Sequence, residues 1–159
     1  MKTNYKKNKL QILTFLILGA IPLFVDSYYL DNISYFMCWT FISLGLAVIW
    51  GMGGILSFGQ TAFFGLAGYG FSVISINFLG VAGVSLWSIL LALMLTGVFG
   101  LIVGYFLFYG GIYDVFIGIV TLAITLVLET FMQQTAGPEY TIGSARLNGF
   151  NGMQGMPTI

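Results

Sequence analysis

A single carboxylate, Glu129, stands deep in the apolar stretch from Val115 to Met132, and it is the residue of this chain best placed to do chemistry. An ionisable group inside a membrane is costly to keep there and defaults to a function, such as holding a cation or a proton. Glu129 also lies one helical turn before Gln133, where polar residues resume, so its carboxylate can instead reach an interface. That proximity favours the interfacial reading. Other chemistry is scarce. The chain has no histidine and one cysteine, Cys38. Neither a Ser–His nor a Cys–His pair can be drawn, nor a metal site with the usual ligand spacing. Cys38 sits in an apolar run and reads as a small hydrophobe with no internal disulfide partner. We therefore expect no catalysis, no metal and no cofactor on this chain.

The elements that must position these residues are membrane helices. Of the 159 residues 58% are hydrophobic and 6% are charged, whereas soluble domains carry about 25% charged residues to solvate their surfaces. Five acids and five bases cannot coat a chain of this length in water. The acids are scattered singly, and nothing suggests nucleic acid or an acidic partner. The expected fold is all-α: a polytopic transmembrane helix bundle of about five spans, broken by a Gly-rich segment at 51–60. Residues 1–9 form a basic N-terminus with Lys2, Lys6, Lys7 and Lys9. The positive-inside rule puts it in the cytoplasm. No small-x-small cleavage site follows, so the first apolar run, 10–25, reads as a retained helix and not a signal peptide. A linker from Asp26 to Asn32 comes next, with Tyr28, Tyr29, Tyr35 and Trp39 as an interfacial aromatic belt. Further spans are expected at 33–50, 61–79, 86–109 and 115–132, each near the length needed to cross about 30 Å of hydrocarbon. Residues 10–132 thus form the membrane domain, and 133–159 an external loop rich in Gly, Asn and Pro. An odd number of spans, ending in a loop, reads as the N-terminal part of something longer.

The most distinctive stretch runs from Gly51 through Gly53, Gly54, Ser57 and Gly59 to Gln60 and Phe63. Each glycine costs a helix up to about 1 kcal/mol relative to alanine. Ser57, Gly59 and Gln60 then place polar groups and bare backbone among apolar neighbours. Non-helical backbone at membrane depth survives where it is buried in protein or lines a water-filled cavity, and broken helices of this kind build transporter substrate sites. A fresh helix starting near Gln60 would offer unpaired N–H groups and a positive dipole end suited to a carboxylate. An ordinary turn between two spans explains the same glycines. The lack of any charged residue across the segment tilts the balance towards burial in protein. Elsewhere, Gly97, Gly100 and Gly104 fall near one face of the fourth span, a small-xxx-small pattern that permits close helix packing.

These residues also carry a resemblance. The run Gly53-Gly54-Ile55-Leu56-Ser57-Phe58-Gly59-Gln60-Thr61-Ala62-Phe63-Phe64-Gly65 resembles the GxLSxGQxAFFGxGAY signature of branched-chain amino-acid ABC transporter permeases, and of the M-type subunit in particular. Urea and short-chain amide permeases are related to it. The run Tyr113-Asp114-Val115-Phe116-Ile117-Gly118-Ile119-Val120-Thr121-Leu122-Ala123 is similar to that family's YFAIVTLA helix, and Gly137-Pro138 with Leu147-Asn148-Gly149-Phe150-Asn151-Gly152 resembles its external loop. The three segments occur in the family's order over roughly residues 40 to 157. The resemblance implies a permease subunit paired with a second permease and driven by two cytoplasmic ATPase subunits, which use the ATP. An extracytoplasmic binding protein would supply it with substrate. It implies that Gly53, Gly54, Ser57, Gly59, Gln60 and Phe63 line the pathway, and that Gly137, Pro138, Asn151 and Gly152 face the binding protein. The expected location is the bacterial plasma (inner) membrane. Asn148 and Ala67 stand where the family commonly has glycine, and the family's ATPase-coupling loop and later helices have no counterpart here. A secondary carrier using Glu129 for proton or cation coupling, or a non-transporting membrane subunit, is the alternative. Branched-chain amino acids, urea and amides all stay open as substrates.

Overall fold

The computed structural model describes residues 2–157, with side chains described for residue 9 and residues 11–157. Met1, Thr158 and Ile159, and the side chains of Lys2, Lys6 and Lys7, lie outside that description, although they belong to the expected N-terminal and C-terminal segments. Five helices dominate: α1 (Lys2–Phe24), α2 (Ser27–Gly53), α3 (Gln60–Asn77), α4 (Val84–Tyr109) and α5 (Val115–Gln133). The fold is an all-α transmembrane helix bundle. The chain divides into two units, Met1–Phe41 and Ile42–Ile159.

In the first unit α1 runs unbroken from the basic start to Phe24, with Pro22 in its last turn. The expected linker 26–32 shrinks to Val25 and Asp26. The Asp26 carbonyl accepts the N–H groups of Tyr29 and Leu30 at 3.0 and 3.1 Å, which starts α2 at once. Asn32 then donates its side-chain amide to the Tyr28 carbonyl at 2.9 Å, so polar residues assigned to a loop serve inside the first turns. Tyr35 packs edge-on against both Phe36 and Trp39, with the Trp39 ring centroid 6.1 Å away.

In the second unit α2 also runs further than expected, through Gly51 and Gly53. The comparison of costs explains it. A glycine inside a helix costs about 1 kcal/mol, whereas a backbone group left unpaired in hydrocarbon costs several. Helix is therefore kept until Gly54, whose N–H still donates to the Trp50 carbonyl at 3.0 Å. Gly54 then turns the chain at φ +67°, a region closed to most side chains. The break is 54–59, shorter than the expected 51–60.

α3 and α4 form an antiparallel hairpin whose closest approach uses small residues. A Cβ at Gly70 would lie 3.5 Å from the Ala92 Cβ, and Ser88 is buried near Ile74 and Leu91. Of the glycines singled out in α4, Gly100 faces the Phe63 ring at 3.7 Å, while Gly97 meets nothing within 4 Å and Gly104 meets its own helix at Phe108. The α3–α4 contact therefore rests on Gly70 and Ala92 more than on the Gly97–Gly104 stripe. Among the described residues three helical stretches are long and apolar enough to cross a membrane: Ser27–Gly53, Val84–Tyr109 and Val115–Ala136. The apolar part of α1, Gln11–Phe24, is shorter. α3 is not among the three, because Gln60, Ser72, Ser75 and Asn77 dilute its apolar character.

The segment after α5, expected as a loop rich in Gly, Asn and Pro, carries short elements of its own. A single 3-10 turn (Gln134–Ala136) leads into a two-stranded antiparallel ribbon, β1 (Thr141–Ile142) and β2 (Ala145–Arg146), and a second 3-10 turn (Gly149–Asn151). Asn77 at the end of α3 organises it. Its amide donates to the Ile142 carbonyl and its oxygen accepts the Ser144 N–H, both at 2.8 Å. Tyr69 donates its hydroxyl to the Gly149 carbonyl at 3.0 Å. Ala145 and Leu147 are buried beneath this ribbon.

A broken helix held by threonines

The break is satisfied by α5. Thr121 Oγ1 accepts the Phe58 N–H at 3.1 Å and itself donates to the Ile117 carbonyl at 2.8 Å. One turn on, Thr125 Oγ1 lies 3.1 Å from the Phe58 carbonyl and 2.9 Å from the Thr121 carbonyl, as donor to both. Ser57 Oγ accepts the Gly59 N–H at 3.2 Å. Three hydroxyls thus supply partners to the Phe58 N–H and carbonyl and to the Gly59 N–H inside the break. Gly118 makes the approach possible, because a Cβ there would lie 3.1 Å from the Leu56 carbonyl oxygen.

Depth follows from helix geometry. At about 1.5 Å per residue, Thr121 and Thr125 stand roughly 9 and 15 Å along α5 from its start. An α5 of about 28 Å matches the hydrocarbon thickness of about 30 Å. Phe58 is therefore non-helical backbone beside the middle of α5, with Ser57 and Gly59 around it buried and Phe58 itself exposed.

The six residues expected along a pathway fall in different surroundings. Gly53 ends α2. Gly54 is exposed and borders a crevice of about 220 Å³ with Leu56, Phe58, Asp114 and Gly118. Ser57 and Gly59 are buried beside α5, where a Cβ at Gly59 would lie 3.4 Å from the Thr121 Cβ. Gln60 places its side-chain oxygen beside Gly45 of α2, and Phe63 packs edge-on against Phe99 of α4 at 5.8 Å. A second crevice, of about 470 Å³, opens on the other side of the break between α3 and α5. Thr61, Tyr69, Thr125 and Glu129 line it, with Gly149, Phe150 and Gly152 along its rim. The break thus separates two hollows, and most of the residues facing them, Leu56, Thr61, Thr125 and Glu129, lie outside the expected set. Glu129 is exposed and accepts the Gln133 side-chain amide at 3.0 Å.

Of the loop residues, Pro138 and Asn151 are exposed, Gly137 and Gly152 half-buried. Gly152 accepts the Asn148 side-chain amide on its carbonyl at 2.8 Å. Asn148 itself has φ +63°. That left-handed conformation suits glycine best and asparagine next, which accounts for asparagine at this position.

Several apolar helices, interrupted by a non-helical segment bordered by two crevices, define a multi-pass membrane protein. The chain belongs to the family described as branched-chain amino acid transport system / permease component, which matches residues 28–152. The match spans the break, α3 to α5, the ribbon and the second 3-10 turn. A permease component is one part of a transport system, so the chain works within a membrane complex. No curated protein and no solved structure matches the chain at a significant level.

Proposed function

We propose that this chain is the membrane-spanning subunit of an ATP-driven importer for branched-chain or related small amino acids. Family membership and the break carry the reading together. A scaffold has no use for non-helical backbone at membrane depth, whereas a pathway needs polar backbone beside a cavity. In this reading the Ser57–Gln60 segment divides an inner hollow at Leu56 from an outer one at Thr61. Release of Phe58 from Thr121 and Thr125 would join them. The free N–H groups at the start of α3 would favour a passing carboxylate. The N-terminus is cytoplasmic, in the bacterial plasma membrane. A second permease completes the pathway, two cytoplasmic ATPase subunits hydrolyse the ATP, and an extracytoplasmic binding protein docks on the loop containing Gly137, Pro138, Asn151 and Gly152.

The position of Glu129 beside the outer crevice supports one second reading, a carrier that couples transport to protons or cations. Uptake of radiolabelled leucine into native membrane vesicles separates the two. Dependence on ATP and on the binding protein supports the importer. Uptake that follows a proton gradient without ATP rejects it.

A further inference from the structure

The crevice between α3 and α5 is bounded differently at its two ends. At the inner end Thr121 and Thr125 of α5 hold the Phe58 backbone, just before α3 begins. At the outer end the turn Asn148–Gly152 bridges the two helices, and Gly149, Phe150 and Gly152 form the rim. Gly149 touches both sides. Its carbonyl accepts the hydroxyl of Tyr69 on α3 at 3.0 Å, and a Cβ placed on it would lie 2.8 Å from the backbone of Ala136, just past the end of α5.

The turn is tightly bonded within itself. Asn148 donates its side-chain amide to the Gly152 carbonyl at 2.8 Å. The N–H groups of Asn151 and Gly152 donate to the carbonyls of Asn148 and Gly149 at 3.2 and 3.1 Å. Its attachment to the helices is slight by comparison. The Gly149 carbonyl keeps the Gly152 N–H when Tyr69 lets go, and Tyr69 borders the crevice, where water can replace its lost acceptor. The Phe150 ring is 75% exposed, so lifting the turn uncovers little apolar surface. The ribbon before it is better anchored, through the bonds of Asn77 to Ile142 and Ser144 and the burial of Ala145 and Leu147.

We infer that Asn148–Gly152 is a lid over the outer end of the crevice, latched by the Tyr69–Gly149 hydrogen bond and seated on Ala136. It lifts as one piece while the ribbon stays in place. The inference rests on the reading of the α3–α5 space as the outer part of the pathway and adds a gate to it. Thr61 lines the same crevice beside the break, about 12 Å along α3 from Tyr69. A solute entering at the rim reaches Thr61 past the lid.

The test uses the complete transporter containing this chain, in native membrane vesicles, with Thr61→Cys as reporter in a Cys38→Ser background. A membrane-impermeant thiol reagent is added outside, without ATP. Tyr69→Phe keeps the ring and removes the latch, and labelling should quicken by about two- to tenfold, in keeping with the loss of one neutral hydrogen bond. Gly149→Ala unseats the turn from Ala136 and should quicken it further. Labelling of Leu56→Cys from the inside should be unchanged in both variants. Thr61→Cys labelling at the wild-type rate in either variant overturns the lid. So does an equal acceleration at Leu56→Cys, which marks a general loosening of the helices. Labelling requires no transport, so uptake driven by a proton gradient without ATP would reject the importer and leave the lid standing.

Discussion

Replacing Thr121 with valine removes one oxygen from the centre of the account and leaves the shape almost unchanged. Thr121 is 4% exposed, and its hydroxyl accepts the Phe58 N–H at 3.1 Å. The Ile117 carbonyl, to which the same hydroxyl donates, lies within the helical ladder of α5 and does not depend on it. The loss therefore falls on Phe58. A buried N–H without a partner costs about 1–3 kcal/mol, which raises the population of the detached segment by about 5- to 150-fold. Hydrogen exchange followed by mass spectrometry on the complete transporter reads this directly. Peptides covering 54–62 in Thr121→Val should exchange faster by that factor, and peptides within α4 should be unchanged. Thr121→Ser keeps the hydroxyl and should stay near wild type. Unaltered exchange in Thr121→Val, or the same acceleration in Thr121→Ser, would refute the claim that α5 holds the break through this hydroxyl. Thr125→Val should give a smaller effect, about 1 kcal/mol, because the Phe58 carbonyl keeps a second lone pair. The two substitutions should also be non-additive, since they hold opposite sides of one residue.

Gly59→Leu should abolish uptake in an otherwise complete transporter while membrane insertion persists, because even a Cβ at this position comes within 3.3 Å of Phe63 and 3.4 Å of Thr121; wild-type uptake would reject the packing argument. Gly54→Ala should be milder, about 1–2 kcal/mol, since the cost there is the positive φ in otherwise open space. Thermal unfolding of the purified complex compares the two. Gly149→Ala should lower the midpoint of loop unfolding clearly, because its Cβ would press on the Ala136 backbone at 2.8 Å. Asn77→Leu removes the bonds to Ile142 and Ser144, a loss of about 2 kcal/mol for two hydrogen bonds. Limited proteolysis should then cut 137–152 faster, with the helices intact.

The residues differ in how much of this they announce. The glycine run marks the break because glycine weakens a helix wherever it stands, so the location follows from composition alone. Its true limits do not, since Gly51 and Gly53 stay helical for want of any better partner in an apolar setting. Thr121 and Thr125 are silent in sequence. A threonine in a membrane helix ordinarily bonds its own preceding turn, as both do here, and nothing local says that a loop some 60 residues earlier will share the hydroxyl. Asn77 and Tyr69 are silent for the same reason, with partners 65 and 80 residues away. Asn148 is an intermediate case. Its departure from glycine looks arbitrary in sequence and becomes sensible at φ +63°. Glu129 was visible as an embedded carboxylate, and its neighbour Gln133 as the polar helix end. Its place on a crevice came from the fold of α3 against α5.

The central claim is that a non-helical segment, buried at Ser57 and Gly59, separates two hollows that open on opposite sides of the membrane. Cysteine accessibility tests it most directly, and the chain's sole cysteine, Cys38, is free and exposed, so a Cys38→Ser background is readily made. A membrane-impermeant thiol reagent added outside should label Thr61→Cys, and the same reagent added inside should label Leu56→Cys. Ser57→Cys, between them and 8% exposed in the native residue, should resist both. Labelling of Leu56→Cys and Thr61→Cys from one side only, or rapid labelling of Ser57→Cys, would contradict the account.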